Sequence, residues 1–234
     1  MDRLAGKNKD KVIDLLAERL SFERASVKLY DRVLHRMEEA ARGRPRSSDG
    51  DYTTYGLSGY RSDATRGMHD DIRREVGRPG HQGERQAHEE ERVVAEMLPH
   101  VRGLRDQEKE HQTWLEQCIR NLGGDPKRTT EMAKLTEREV KGIEAVIMKD
   151  PVLPHLFHAL LAAEHVDSAG WDLLVELADA AGDVDAKREL ERRLHEEEQH
   201  LAFVREALRI FSAHAVLNQD LQTPAQGQMH PSTS

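Results

Sequence analysis

Six residues of this chain combine the types and spacings that bind metal: Glu23, Glu108, His111, Glu164, Glu197 and His200. Four of them form two Glu-x-x-His pairs, Glu108/His111 and Glu197/His200, and no other of the thirteen histidines has a glutamate three positions earlier. On an α-helix, positions i and i+3 share a face one turn apart, so each pair can reach one ion from the same side. Two pairs and two single glutamates supply six side-chain ligands, enough for two ions with open coordination positions. Taken singly, a Glu-x-x-His in so glutamate-rich a chain is a solvated surface pair. The specificity lies in the combination, and in where the six residues fall.

All six interrupt apolar stripes of helical period. A first helix is predicted over Lys9–Ala41, with the seam Leu16, Leu20, Glu23, Val27, Tyr30, Leu34, Met37. A second spans Glu84–Leu122, with Val94, Met97, Val101, Leu104, Glu108, His111, Leu115, Cys118, Leu122. A third spans Pro151–Ala181, with Leu153, Phe157, Leu160, Glu164, Asp167, Trp171, Leu174, Ala178. The fourth spans Val184–Ala215, with Leu190, Leu194, Glu197, His200, Val204, Leu208, Phe211. Steps alternating four and three are the mark of helices packed side by side. Acid facing such a core costs several kcal/mol per unpaired group, a cost that bound cations offset. The turn expected at Ala181-Gly182-Asp183 lies midway between Glu164 and His200, which sets the third and fourth helices' ligands level.

The fold class this implies is all-α: one domain over residues 1–216, with a surface insertion at 43–83 and a disordered tail over 217–234. The insertion is rich in Gly, Ser, Asp and Arg, carries Tyr52, Tyr55 and Tyr60, and has room for a short helix near Asp70–Glu75. Pro99 predicts a kink or break in the second helix. Thr136-Glu137-Arg138-Glu139 reads as a capping box opening a short helix, and Asp150-Pro151 as the cap and first residue of the third. Tyr30 is a core aromatic or a hydrogen-bond partner of a ligand carboxylate. Phe157 and Trp171 read as core, His165 as structural or surface, His195 and Glu196 as solvent-facing, and Cys118 as a buried thiol.

Composition bounds the function classes. Charged residues make up 33% and aromatics 4%, and the net charge of −8 argues against nucleic acid, which asks for a basic face. A single cysteine rules out an internal disulfide or a Cys-x-x-Cys site. No apolar run reaches membrane-spanning length and the start has no apolar signal core, so the expectation is a cytoplasmic protein without a membrane partner.

With these residues in place, the chain resembles the ferritin-like superfamily, bacterioferritins and rubrerythrins in particular. The shared pattern is E…ExxH…E…ExxH, here Glu23, Glu108/His111, Glu164, Glu197/His200, and Tyr30 matches a tyrosine those families keep beside the metals. The resemblance implies a four-helix bundle with one long crossover and a di-iron site. Glu108 and Glu197 would bridge two Fe ions, with Glu23 and Glu164 as terminal ligands and one histidine on each ion. It also implies an extra carboxylate at Asp167, which otherwise reads as a polar residue at the seam edge. Lys109 stands where bacterioferritins carry a haem-ligating methionine, so no haem is expected. One cysteine excludes the rubredoxin module of rubrerythrins. The insertion argues for a homo-oligomer that is a dimer rather than a cage.

The function so implied is oxidation of Fe(II), or reduction of O2 or peroxide, at a carboxylate-bridged dinuclear site. The alternatives are a metal-stabilised stress or assembly protein with little turnover, and a dimanganese catalase-like enzyme.

Overall fold

The computed structural model describes residues 1–42, 82–149, 152–217 and 219–224. Among them are six α-helices and no strand: α1 (Asp2–Ala5), α2 (Lys9–Ala41), α3 (Gln82–Asn121), α4 (Glu131–Lys149), α5 (Leu153–Ala180) and α6 (Val184–Leu217). No described helix is long and apolar enough to cross a membrane. Most of the insertion, with its three tyrosines and the expected helix at Asp70–Glu75, lies outside the described residues, as do Asp150 and Pro151.

The long helices stand where the apolar repeats put them. Every seam residue from Val94 to Cys118 on α3, and Leu122 just after it, is buried. Pro99 sits inside α3 without breaking it into two pieces. Along α2 the buried face is wider than the expected stripe: Phe22, Ser26, Leu29 and Val33 are buried beside the seam, while Val27 is only half-buried. The cause is α4, which packs along α2 and also touches α5. Ser21 Oγ donates to the Ala133 carbonyl at 3.4 Å, and Thr136 Oγ1 donates to Glu18 Oε1 at 3.0 Å.

Two expected helix starts move. α4 begins one and a half turns earlier than its capping box suggested, because Thr130 Oγ1 takes the Ala133 N–H at 3.2 Å, leaving Thr136 inside the helix and buried. The cap of α5 is Val152, and the proline of its first turn is Pro154. At the α5–α6 turn, Gly182 takes φ +66°, the left-handed conformation that favours glycine. Asp183 then serves two helices. Its Oδ1 accepts the Ala186 N–H of α6 at 3.2 Å, and its Oδ2 accepts the Arg3 and Leu4 N–H groups of α1 at 2.9 and 3.1 Å.

The apolar core is in two parts. One joins residues 4–20 of α1 and α2, 115–122 of α3, 171–178 of α5 and 186–190 of α6. The other joins residues 22–37 of α2, 93–104 of α3, 153–163 of α5 and 203–211 of α6. The second cluster precedes the first along both α3 and α5, so those two helices run in the same direction, and α2 and α6 run against them. Leu221 also joins the second cluster, at 3% exposure, and Thr223 Oγ1 hydrogen-bonds Glu96. Among the described residues after α6, Leu221 and Pro224 are buried, and residues 225–234 of the expected tail lie outside the described residues. Between the two apolar clusters, on all four long helices, lies a layer of buried polar groups.

Candidate metal centre

That layer holds all six residues singled out in the sequence. Glu23 comes from α2, Glu108 and His111 from α3, Glu164 from α5, and Glu197 and His200 from α6, each at most 1% exposed. They fall into two overlapping groups, Glu23/Glu108/His111/Glu197 and Glu108/Glu164/Glu197/His200, and within each group one ligand atom per residue lies within 4.8 Å of the others. Each group could hold a metal ion, and Glu108 and Glu197 belong to both.

The hydrogen bonds at the edge of the cluster repeat themselves with the helices exchanged. Tyr30, seven residues after Glu23, donates to Glu164 Oε1 at 2.6 Å. Trp171, seven residues after Glu164, donates through Nε1 to Glu23 Oε1 at 2.9 Å. Glu196, the residue before Glu197, meets His111 Nε2 at 2.7 Å. Gln107, the residue before Glu108, meets His200 Nε2 at 2.9 Å through its Oε1. Each single glutamate thus has one oxygen held by an aromatic donor from the opposite helix. Each histidine has its outer nitrogen held and presents Nδ1 inward.

The inward atoms lack hydrogen bonds. Glu23 Oε2, Glu164 Oε2, both oxygens of Glu108 and of Glu197, and the Nδ1 atoms of both histidines are buried with none. His111 Nδ1 lies 2.8 Å from Glu197 Oε1, and His200 Nδ1 lies 3.3 Å from Glu108 Oε1 and 3.5 Å from Glu197 Oε2, close enough for charge attraction but outside hydrogen-bonding geometry. A buried polar atom without a partner costs about 1–3 kcal/mol, more if charged. Cations held by the two groups would meet all of these atoms. Carboxylate oxygens with two imidazole nitrogens suit a divalent first-row metal.

Metal-free, the cluster holds protons. Burial raises Glu23 and Glu108 well above the carboxylate range, and raises Glu164. For Glu197 burial is outweighed by His200 and His111, which pull it down to about 2. Burial opposes charge on His111 too, yet its hydrogen bond to Glu196 and the Glu197 and Glu23 carboxylates beside its Nδ1 raise it to about 9. His200, ringed by Glu197, Glu108 and Glu164, is likewise raised.

Several functional contacts escaped the sequence reading. Trp171, read as plain core, is a hydrogen-bond donor to the cluster; a buried indole N–H always asks for an acceptor, and that was the signal. Glu196, read as solvent-facing, is partly buried against His111, whereas His195 is exposed as expected. Asp167 joins neither metal-holding group and instead pairs with Arg19, whose Nη1 lies 2.6 Å from Asp167 Oδ1. Nothing in the heptads pointed to a buried arginine. His165 is exposed, and Cys118 is buried with its thiol raised to about 11, which leaves it inert.

A family model described as a domain of unknown function, DUF892, matches residues 83–219, more than half of the chain. The matched span holds α3 to α6 and excludes α2, and with it Glu23, Tyr30 and Arg19. No curated protein and no solved structure matches.

Proposed function

We propose a metal-dependent function for this chain, which belongs to the DUF892 family: it is a ferritin-like protein that binds two iron ions between its four long helices and uses them to oxidise Fe(II) or to reduce O2 or peroxide. The observation that carries this reading is the sharing of Glu108 and Glu197 by two four-residue groups that each hold one histidine and one further glutamate. A single-ion site needs no such duplication. Carboxylate bundles that hold two metals use this arrangement, with Glu-x-x-His from two helices and a glutamate from each of the others.

The residues divide the work by what their atoms are free to do. Glu108 and Glu197 have both oxygens free and belong to both groups, so they would hold both ions. Glu23 and Glu164 each have one free oxygen, the other being fixed by Trp171 or Tyr30, and would each offer that one oxygen to a single ion. His111 and His200 contribute Nδ1, with ring orientation and tautomer set by Glu196 and Gln107. The two apolar clusters on either side keep bulk water from the layer, which strengthens each charge interaction within it. Iron held by these residues would supply the electrons for reducing an oxygen-containing oxidant, and the residues themselves bind and orient it.

The test is the metal content of protein purified without chelator, for the wild type and for Glu108→Ala/Glu197→Ala, followed by oxygen uptake on adding Fe(II). About two irons per chain, absent from the variant, with faster uptake than the variant, supports the reading. About two manganese ions redirects it to catalase-type chemistry. No metal in either folded protein overturns it.

A further inference from the structure

The near-symmetry of the cluster makes its one break in charge visible. Residue 107 precedes the α3 motif and holds the α6 histidine, while residue 196 precedes the α6 motif and holds the α3 histidine. These positions correspond, yet one is a neutral glutamine and the other a carboxylate. Glu196 is also the outer end of a chain: its Oε1 takes Arg192 Nη1 at 3.0 Å while its Oε2 takes His111 Nε2 at 2.7 Å. It is a fifth exposed, so its carboxylate lies between Arg192 and solvent on one side and the ring on the other.

The remaining donors on the two sides match in kind. Each side has one glutamate with one free oxygen, shares Glu108 and Glu197, and offers one Nδ1. The other charged group near Glu23, Arg19, has its charge met by Asp167 at 2.6 Å and by Glu18 at 3.3 Å. A carboxylate on the outer N–H of a ligating imidazole makes the ring a stronger donor and lends a negative charge to the ion beyond it, and an amide oxygen lends no net charge.

We propose that the two metal positions are unequal by construction: the position at His111 binds a divalent cation more tightly and fills first, and Glu196 is the positioning residue that sets the order. The proposal rests on the two-ion reading above. Replacing Glu196 by glutamine makes positions 107 and 196 alike, and replacing Gln107 by glutamate does so from the other side.

The experiment titrates the full metal-free chain with Co(II), followed by calorimetry and by the ion's visible absorption. Two resolved steps are expected in the wild type, with His111→Ala removing the tight step and His200→Ala the weak one. Glu196→Gln should weaken the tight step by about 10–100-fold and merge it with the second, and Gln107→Glu should tighten the weak step. Melting curves of the metal-free variants check folding, and the opposite signs of the two substitutions exclude a general loss of structure. Two ions bound with equal affinity, or a Glu196→Gln variant whose steps stay separate, overturns the proposal and leaves the two-ion reading standing. A wild type that binds no Co(II) overturns both.

Discussion

Arg19 reaches from α2 across to α5 and places Nη1 2.6 Å from Asp167 Oδ1 and 2.9 Å from the Asp167 carbonyl oxygen, in a space that exists because residue 170 has no side chain. A Cβ on Gly170 would lie 2.2 Å from that same nitrogen. Both members of the pair are almost fully buried, and Asp167 Oδ2 has no hydrogen bond. Burial and the neighbouring carboxylates raise Asp167 well above the carboxylate range and Arg19 opposes that rise, while the same guanidinium also meets Glu18 Oε1 at 3.3 Å.

Breaking the Arg19–Asp167 pair from one side should be costly. Arg19→Met leaves a buried aspartate unpaired, and the expected loss is about 3–5 kcal/mol in urea unfolding of the metal-free protein. Gly170→Ala should lose part of the same energy by displacing the guanidinium. The double variant Arg19→Met/Asp167→Leu should recover most of the loss, since replacing both partners by apolar groups is often neutral. Losses that simply add in the double variant would mean the two residues act independently.

The pH dependence of stability should differ between the metal-free and the loaded protein. His111 is raised from 6.5 to about 9, so its contribution is complete below 6.5 and is lost as pH rises through 9. Burial of Glu23, Glu108 and Glu164 acts in the same direction, because each is raised and its neutral form is favoured. Glu197, lowered to about 2, contributes above the ordinary 4.5 and loses that only as pH falls through 2, so it is constant in this window. Metal-free Tm should therefore fall between pH 6.5 and 9. A bound cation needs its ligands deprotonated, so the gain in Tm on adding Co(II) should widen over the same range. Parallel curves with and without metal would contradict this.

The six cluster residues were legible because polar groups interrupting an apolar repeat must be buried, and burial without a partner is expensive. Helix directions were legible for a related reason: the turn at Gly182 and the long link between α3 and α5 leave few ways to set Glu23, Glu108, Glu164 and Glu197 level. What the repeat could not show was anything off the seam. Arg19, Gln107 and Glu196 are residue types that ordinarily face water, and each is one position from a seam residue, where a small rotation decides between core and solvent. Leu221 lies after the last repeat, so no periodicity marked it. Thr136 misled because a capping box is a local pattern, and Thr130 offered the same cap six residues earlier beside a face that α2 and α5 could bury.

Trp171 should report on metal binding. Its Nε1 is bonded to Glu23 Oε1 and its ring centroid lies 5.4 Å from that of His111, with the chain's other tryptophan, Trp114, 6.1 Å away. An ion bound by Glu23 and His111 changes the charge beside the indole. Intrinsic fluorescence should shift or quench as Co(II) is added, with an endpoint matching the calorimetric one. Trp114→Phe should keep the response and Trp171→Phe should lose it. A response that survives Trp171→Phe would place the ion elsewhere.

Tyr30 separates packing from hydrogen bonding in a single substitution. Its ring is fully buried among the residues of the larger apolar cluster, which suits a core aromatic, and its hydroxyl is 2.6 Å from Glu164 Oε1, which suits a group that orients a ligand. Tyr30→Phe keeps the ring and removes only the O–H. The carboxylate oxygen it leaves behind is buried, so the metal-free protein should lose about 1–3 kcal/mol. Glu164 would also be free to rotate, and affinity at the His200 position should fall by roughly 10-fold or more while the His111 position is unaffected. Two-step Co(II) titration of the variant reads both quantities. A stability loss with both affinities unchanged would reduce Tyr30 to a core residue; a loss confined to the weak step assigns its hydroxyl to the orientation of Glu164.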